Sequence, residues 1–162
     1  RPDLLMDPDE VAEAFELLYS SGKVRSFGVS NFTPSQIKLL QSTVPVGVHQ
    51  LEISVKDVSA FDDGRLDQCT LDGIVPMAWS PLGGGNLPEG VASVLGSLAS
   101  EFGVTPQAIA LAWLLQHPAG ILPVIGTTKA ENLEAAQTAL NIKLDRQQWY
   151  TIYQAATGIR LP

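Results

Sequence analysis

Cysteine is almost missing from this sequence. Among 162 residues there is one, Cys69, which excludes an internal disulfide framework and a zinc site built from several thiolates. Histidine is nearly as scarce: His49 and His117 stand far apart, and no metal centre is expected from them. Basic residues are outnumbered, ten Lys and Arg against seventeen Asp and Glu, for a net charge of −7. That balance argues against nucleic-acid binding, which needs a basic face to neutralise phosphates, but leaves room for one small anionic ligand held by backbone donors. No uninterrupted apolar run reaches the roughly 18 residues of a membrane helix, so the chain is not expected to cross a bilayer. There is no basic-then-apolar leader, and with the single cysteine this points to the cytoplasm. The opening Arg1-Pro2-Asp3 reads as the middle of a polar connection, so a fragment or a processed chain is expected.

What is present is the composition of one globular domain: 45% hydrophobic and 17% charged residues, with length enough for one sizeable core. The strongest internal pattern is alternation. Short β-rich runs are each followed by a capped helical stretch. Thr33-Pro34-Ser35-Gln36 combines an N-cap, a proline at the first helical position and a capping-box glutamine. The same signal is read at Asp7-Pro8-Asp9-Glu10 and Thr128-Lys129-Ala130-Glu131; Asp145-Arg146-Gln147-Gln148 repeats it without the proline, and Thr105-Pro106 without the box. The pattern predicts strands near 25–30, 46–53, 74–79 and 121–125, and helices over 8–21, 34–42, 63–72, 90–102, 106–117, 130–140 and 146–156. The strands are continuous apolar runs, as in a parallel sheet covered on both faces. The order is that of parallel βα units, which suits a doubly wound open sheet or a segment of a (β/α)₈ barrel. The first βα turn reads Gly28-Val29-Ser30-Asn31-Phe32 and lacks the G-x-G-x-x-G of a Rossmann unit. Four such units make half a barrel, since a complete one takes about 250 residues.

In βα architectures the chemistry sits at the carboxyl ends of the strands. Those ends carry Ser30-Asn31, Gln50-Leu51-Glu52, Trp79-Ser80-Pro81-Leu82-Gly83-Gly84-Gly85 and Gly126-Thr127-Thr128-Lys129. Hydroxyls, carboxamides, backbone N–H groups and one aromatic face therefore converge on one end, a set suited to a ligand offering an amide, an aromatic ring and a phosphate. The segment 80–85 has little side chain to block close approach and reads as an anion cradle. Thr127, Thr128 and Lys129 stand at a helix N-terminus, where free N–H groups and the dipole favour negative charge. Each feature also has a plain structural reading: a flexible glycine connection, an N-cap at Thr128, core packing for Trp79, and mutual satisfaction for Gln50 and Glu52. Acid–base candidates are poor. His49 reads as a satisfied structural histidine inside a strand, His117 as a residue gaining from the dipole at a helix C-terminus, Tyr19, Tyr150 and Tyr153 as packing residues, and Cys69 as a small hydrophobe.

Several stretches together resemble the aldo-keto reductases. They are 22–32 (Gly22-Lys23-Val24-Arg25-Ser26-Phe27-Gly28-Val29-Ser30-Asn31-Phe32), His49-Gln50-Leu51-Glu52, Met77-Ala78-Trp79 through Gly85, Thr105-Pro106-Gln107 through Trp113, and Gly126-Thr127-Thr128-Lys129 with Glu131-Asn132-Leu133. They occur in the family's order and span essentially the whole chain, with bacterial oxidoreductases of the broad group as the nearest pattern. The resemblance implies a single partial domain over 1–162: strands 5–8, the C-terminal half of an α/β (β/α)₈ TIM barrel that binds NADP(H) and reduces carbonyl compounds to alcohols. By the same resemblance Ser30, Asn31 and Gln50 hold the nicotinamide carboxamide, and Trp79 stacks on its ring. Ser80, Leu82, Gly83 and Gly84 form the pyrophosphate loop, and Gly126, Thr127, Thr128, Lys129 and Asn132 belong to the segment that reaches the adenosine 2′-phosphate.

Two departures stand out. Where much of the family carries Lys, Arg and Asn near the adenine, this sequence has Gly126, Asn132 and Ala136. A bidentate guanidinium is lost, which leaves NADP and NAD both open, with Lys129 and Thr127 as substitutes. The family's catalytic Asp, Tyr, Lys and His come from earlier strands, and Arg1-Pro2-Asp3 resembles the residues that follow that His. No catalytic residue is therefore assigned within the chain, which alone is expected to be nearly inactive, a positioned acid being worth about 10²–10⁴-fold. Two further expectations stand beside the reductase: a non-catalytic dinucleotide-binding half-barrel, and a half-barrel that self-associates through its open edges.

Overall fold

The computed structural model describes residues 1–160. Four parallel strands, β1 (Gly28–Ser30), β2 (Val48–Glu52), β3 (Val75–Trp79) and β4 (Leu122–Pro123), lie side by side in chain order. Ser30 pairs with Gln50, Gln50 with Met77 and Met77 with Leu122, so the carboxyl ends of all four reach the same edge. Among the described residues no pairing joins β1 to β4. Gly28 lets β1 and β2 approach: a Cβ there would stand 2.6 Å from the Val48 carbonyl oxygen. The outer strands are shorter than the runs 25–30 and 121–125 predict. Each has a ladder on one side only, and Pro123 has no N–H to donate.

Among the described residues seven α-helices accompany the strands: α1 (Pro8–Ser20), α2 (Pro34–Gln41), α3 (Arg65–Asp72), α4 (Glu89–Phe102) and α5 (Pro106–Leu115) in succession before β4, and α6 (Ala130–Gln137) and α7 (Arg146–Thr157) after it. The capping chemistry places most of their starts. Thr33 and Gln36 form the full reciprocal box, as do Asp145 and Gln148, and Thr105 and Asp7 each cap with a proline at the next position. At α6 the expectation fails. The cap position is Lys129 with no side-chain bond, because the Thr127 hydroxyl, not that of Thr128, accepts the Lys129 N–H at 3.2 Å.

Among the described residues the sheet is covered on one face only, against the expectation of two. Val29, His49, Leu51, Pro76 and Ala78 are buried beneath the helices. On the opposite face Gln50, Glu52, Met77 and Trp79 are half-buried, while Val75 and Leu122 are 40% and 49% exposed. The larger core joins β2 and β3 to α4, α5 and α7 around Leu51, Leu95, Ile109, Trp113 and Ile152, and a smaller one lies between β1, α2 and α3 around Val29, Ile37, Leu40 and Cys69. Fully burying side chains of this size contributes about 1.5–3 kcal/mol each. Among the described residues no single helix is long and apolar enough to cross a membrane.

Candidate functional site

Two residues other than glycine adopt a left-handed backbone, Asn31 (φ 58°) and Ser80 (φ 52°). Both stand one step beyond the carboxyl end of a strand. Such a conformation costs about 1–3 kcal/mol and persists where the surroundings dictate it, commonly at functional sites. The two positions are tied together: the Trp79 indole Nε1–H donates to Asn31 Oδ1 at 3.0 Å, and the Asn31 N–H donates to the Gln50 carbonyl at 2.9 Å. Ser30 and Gln50 are paired in register and half-buried, and Glu52 is the register partner of Trp79.

From Ser80 the chain turns through Gly83–Gly85, all three left-handed at φ 61°, 71° and 79°. A Cβ on Gly83 would come within 3.0 Å of Lys56 Cβ and 3.1 Å of Leu87 Cδ2, so this turn requires glycine for both conformation and space. The cradle is narrower than the sequence implies. The N–H groups of Gly83 and Gly85 are taken up by the turn itself, donating to Ser80 O at 2.8 Å and Leu82 O at 3.1 Å. Among the described residues the N–H groups of Leu82 and Gly84 have no backbone partner.

The strand ends open onto a cavity of about 690 Å³, within the range of about 300–1,000 Å³ typical of small-molecule sites. Trp79, Ser80, Leu82 and Gly84 form one wall, and Gly126, Thr127 and Asn132 another. Ser30, Asn31 and Gln50 are not among the residues that line the cavity, and of the three only Asn31 bonds to Trp79 on its wall; Gly83 is buried, and Thr128 and Lys129 are exposed outside the lining. The sequence reading missed a contribution from α5: Thr105, Gln107 and Leu111 line the cavity too, as do Ala135 and Ala136 on α6. Thr105-Pro106 was legible as a helix start, and that start is what faces the cavity. Thr127 Oγ1 also accepts from Asn132 Nδ2 at 3.0 Å. Among the described residues no ionisable side chain lines the cavity.

The titratable groups named by the sequence lie elsewhere. His49 is fully buried, and its Nε2 accepts the Phe32 N–H at 3.1 Å. Burial first, and Arg65 second, lower its pKa to about 4 against a smaller opposing effect of Asp63, so it is a neutral structural acceptor. Cys69, with its Sγ 3.9 Å from His49 Nδ1, is pushed up to about 11 by burial and then by Asp72, which makes it an inert hydrophobe. His117 does not gain a charge from the helix end: burial lowers its pKa, opposed by Asp67, and its Nδ1 accepts the Ala119 N–H at 3.2 Å. Tyr150 and Tyr153 pack against Trp149, and the Tyr153 hydroxyl donates to Asp62. Tyr19 is 58% exposed and does not pack in the described fold. Among the described residues no group of three or more His, Cys, Asp and Glu is placed to hold a metal ion.

The sequence and the fold both have known counterparts. The family model of the aldo/keto reductase family matches residues 1–157. The chain is 45% identical over its full length to the oxidoreductase YdhF of Escherichia coli and 43% identical to the 6-dehydroglucose reductase of Novosphingobium aromaticivorans, covering 57% and 56% of those proteins. A solved aldo/keto reductase from Klebsiella pneumoniae, in complex with NADP and acetate, superposes with a TM-score of 0.84 at 26% identity, over 95% of this chain and 55% of that one. The chain thus spans a little over half the length of the relatives it matches.

Proposed function

The chain belongs to the aldo/keto reductase family, and from that premise we propose that the protein carrying it reduces an aldehyde or ketone to the alcohol at the expense of NAD(P)H. These residues supply the dinucleotide side of the site. The carrying observation is the cavity at the strand ends, walled by Trp79, by the glycine turn after Ser80 and by the segment after β4. The uncovered sheet face and the two outer strands free of each other support a further reading: the four βα units are one half, strands 5–8, of an eight-unit barrel whose other half covers that face.

The donors present fit a dinucleotide. Ser30, Asn31 and Gln50 offer hydroxyl and carboxamide groups to an amide, with the Trp79 ring bonded to Asn31. Ser80 and the N–H groups of Leu82 and Gly84 receive a pyrophosphate, and Gly83 keeps the turn close. Gly126, Thr127, Thr128, Lys129 and Asn132 border the adenosine end. When bound, the dinucleotide supplies a hydride to the carbonyl carbon, being oxidised as the carbonyl is reduced. The work of these residues is to hold the ring in one orientation and keep water from its face, which is catalysis by positioning. No acid or base among 1–162 is assigned to the reaction; the proton for the alcohol oxygen comes from residues outside this stretch.

Calorimetric titration of NADH and NADPH into the intact polypeptide tests the reading, followed by oxidation of the bound form in the presence of carbonyl compounds. The name of the Novosphingobium relative makes 6-dehydroglucose the first to assay. Binding of at least one dinucleotide is expected, weakened about tenfold or more by Trp79→Ala, since stacking on an aromatic ring contributes about 1–3 kcal/mol. A cooperatively folded polypeptide that binds neither overturns the proposal.

A further inference from the structure

We propose that His49, buried under the helices and outside the cavity lining, is a positioning residue for the cavity's aromatic wall: it fixes the peptide that follows Asn31, and through the Asn31 carboxamide it orients the Trp79 indole. That Trp79 faces a dinucleotide rests on the reading above; the contacts that orient it do not.

Asn31 is left-handed, with φ 58°, a conformation that persists where the surroundings hold the peptides on either side. Both peptides are held by β2. The Asn31 N–H donates to the Gln50 carbonyl at 2.9 Å, and the Phe32 N–H donates to His49 Nε2 at 3.1 Å. The first bond fixes the peptide before Asn31 and the second the peptide after it, so the direction of its side chain is set from both sides. That direction brings Oδ1 to the Trp79 Nε1–H at 3.0 Å, and Trp79 walls the cavity. A residue behind the sheet is thus two bonds away from a surface it never touches.

The two anchors are unequal. A carbonyl accepts at any pH, whereas an imidazole accepts only when neutral. With Nε2 accepting, the single ring proton sits on Nδ1, toward Cys69 Sγ at 3.9 Å. Protonation adds an N–H at Nε2, directly opposite the Phe32 N–H, where both residues are buried. Two donors then face each other and the Phe32 N–H loses its acceptor, a cost relieved by turning the Asn31–Phe32 peptide. The Asn31 carboxamide turns with it and leaves the indole. The charges acting on His49 come from the segment entering α3: Arg65 opposes protonation after burial itself, and Asp63 favours it. Its register partners Val29 and Pro76 carry no charge, and the Cys69 thiol, pushed up to about 11, keeps its proton. The wall is therefore held at neutral pH and released as the pH falls toward 4.

The test is nuclear magnetic resonance of the ¹⁵N-labelled intact polypeptide, with the Trp79 indole N–H identified by its loss in Trp79→Phe. Trp113 and Trp149, which bond to each other's carbonyls, serve as internal reference. On acidification the Trp79 indole and Phe32 amide resonances should shift together, with a midpoint near pH 4, before those of Trp113 and Trp149 move. His49→Gln, whose carboxamide oxygen replaces Nε2 as acceptor, should keep the Trp79 resonance in place at pH 7 and abolish its titration. His49→Leu should displace that resonance already at pH 7 and weaken dinucleotide binding about tenfold, as for one lost hydrogen bond, and His49→Gln should restore the affinity. A Trp79 resonance unmoved in folded His49→Leu, or one that moves in acid only together with Trp113 and Trp149, overturns the proposal. If His49→Leu does not fold, the acid titration decides, and identical curves for the native chain and His49→Gln overturn the role of His49. A folded polypeptide that binds neither NADH nor NADPH overturns the proposed function, while the coupling of His49 to Trp79 is still decided by the resonances.

Discussion

α5 and α1 begin alike and end in opposite situations. Each starts at a capping side chain, Thr105 or Asp7, followed by a proline at the first helical position. α5 then buries every residue from Ala108 through Leu114, whereas α1 buries none. α5 lies in a layer against α4 and β4, and it is latched to α7 by two reciprocal bonds: Trp113 Nε1–H to the Trp149 carbonyl at 3.1 Å, and Trp149 Nε1–H to the Trp113 carbonyl at 3.0 Å. α1 meets the rest of the fold through the Phe15–Phe27 stack, with ring centroids 3.8 Å apart, and through Val11 at the margin of the smaller core. Capping chemistry decides where a helix starts. The layer it docks against decides what it contributes to stability.

Substitutions on the two sides should separate accordingly. The largest effect is expected from Trp113→Ala, which removes a fully buried indole and one half of the latch: about 3–5 kcal/mol, read as a drop in the urea midpoint. Next comes acid. His49 has its folded pKa lowered to about 4 from 6.5, so its contribution is complete above pH 6.5 and is lost as the pH falls toward 4, because the unfolded chain takes the proton first. In full this amounts to about 3 kcal/mol. Denaturation curves between pH 7 and 4 should show the decline, and His49→Gln should flatten it; an unchanged slope would contradict the assignment. Trp149→Phe keeps the ring but leaves the Trp113 carbonyl, in the last turn of α5, without its side-chain donor. It should cost about 1–3 kcal/mol, and equal stability would show that the latch is dispensable. Smallest of all, Leu17→Ala on α1, 70% exposed, should stay within about 0.5 kcal/mol, and a larger loss would mean that α1 docks on something outside the described fold.

The same contrast explains what was legible in the sequence. Helix starts were, because caps are local: Thr33 with Gln36 and Asp145 with Gln148 form the boxes their spacing implies. The cap expected at Thr128 does not form: α6 starts from Lys129 with no side-chain cap, and the neighbouring Thr127 hydroxyl accepts the Lys129 N–H instead. The strand ends that border the cavity were legible because topology brings them to one edge. The contribution of α5 was not. A helix buried over most of its length has little polar face to read, and only the fold shows that Thr105 and Gln107 at its start line the same cavity as the segment after β4. The uncovered sheet face was hidden for a related reason. Val75 and Leu122 are as apolar as Leu51 and Ala78, and hydrophobicity along a strand does not say whether a second layer is present. The backbone conformations of Asn31 and Ser80 leave no mark in residue type alone for serine, and only a weak one for asparagine.

The placement of the tryptophans divides the molecule's optical signals. Of the three indoles in the sequence, Trp113 and Trp149 are stacked, their ring centroids 5.1 Å apart and their planes 23° from parallel. Transitions that close mix, so this pair should give a paired-sign band in the near-ultraviolet circular dichroism that reports on the α5–α7 latch and disappears when it opens. Trp79 stands apart, half-buried at the cavity wall, and its emission should answer to what enters there. Loss of packing and arrival of a ligand can therefore be followed in one sample as two separate colours of the same residue type.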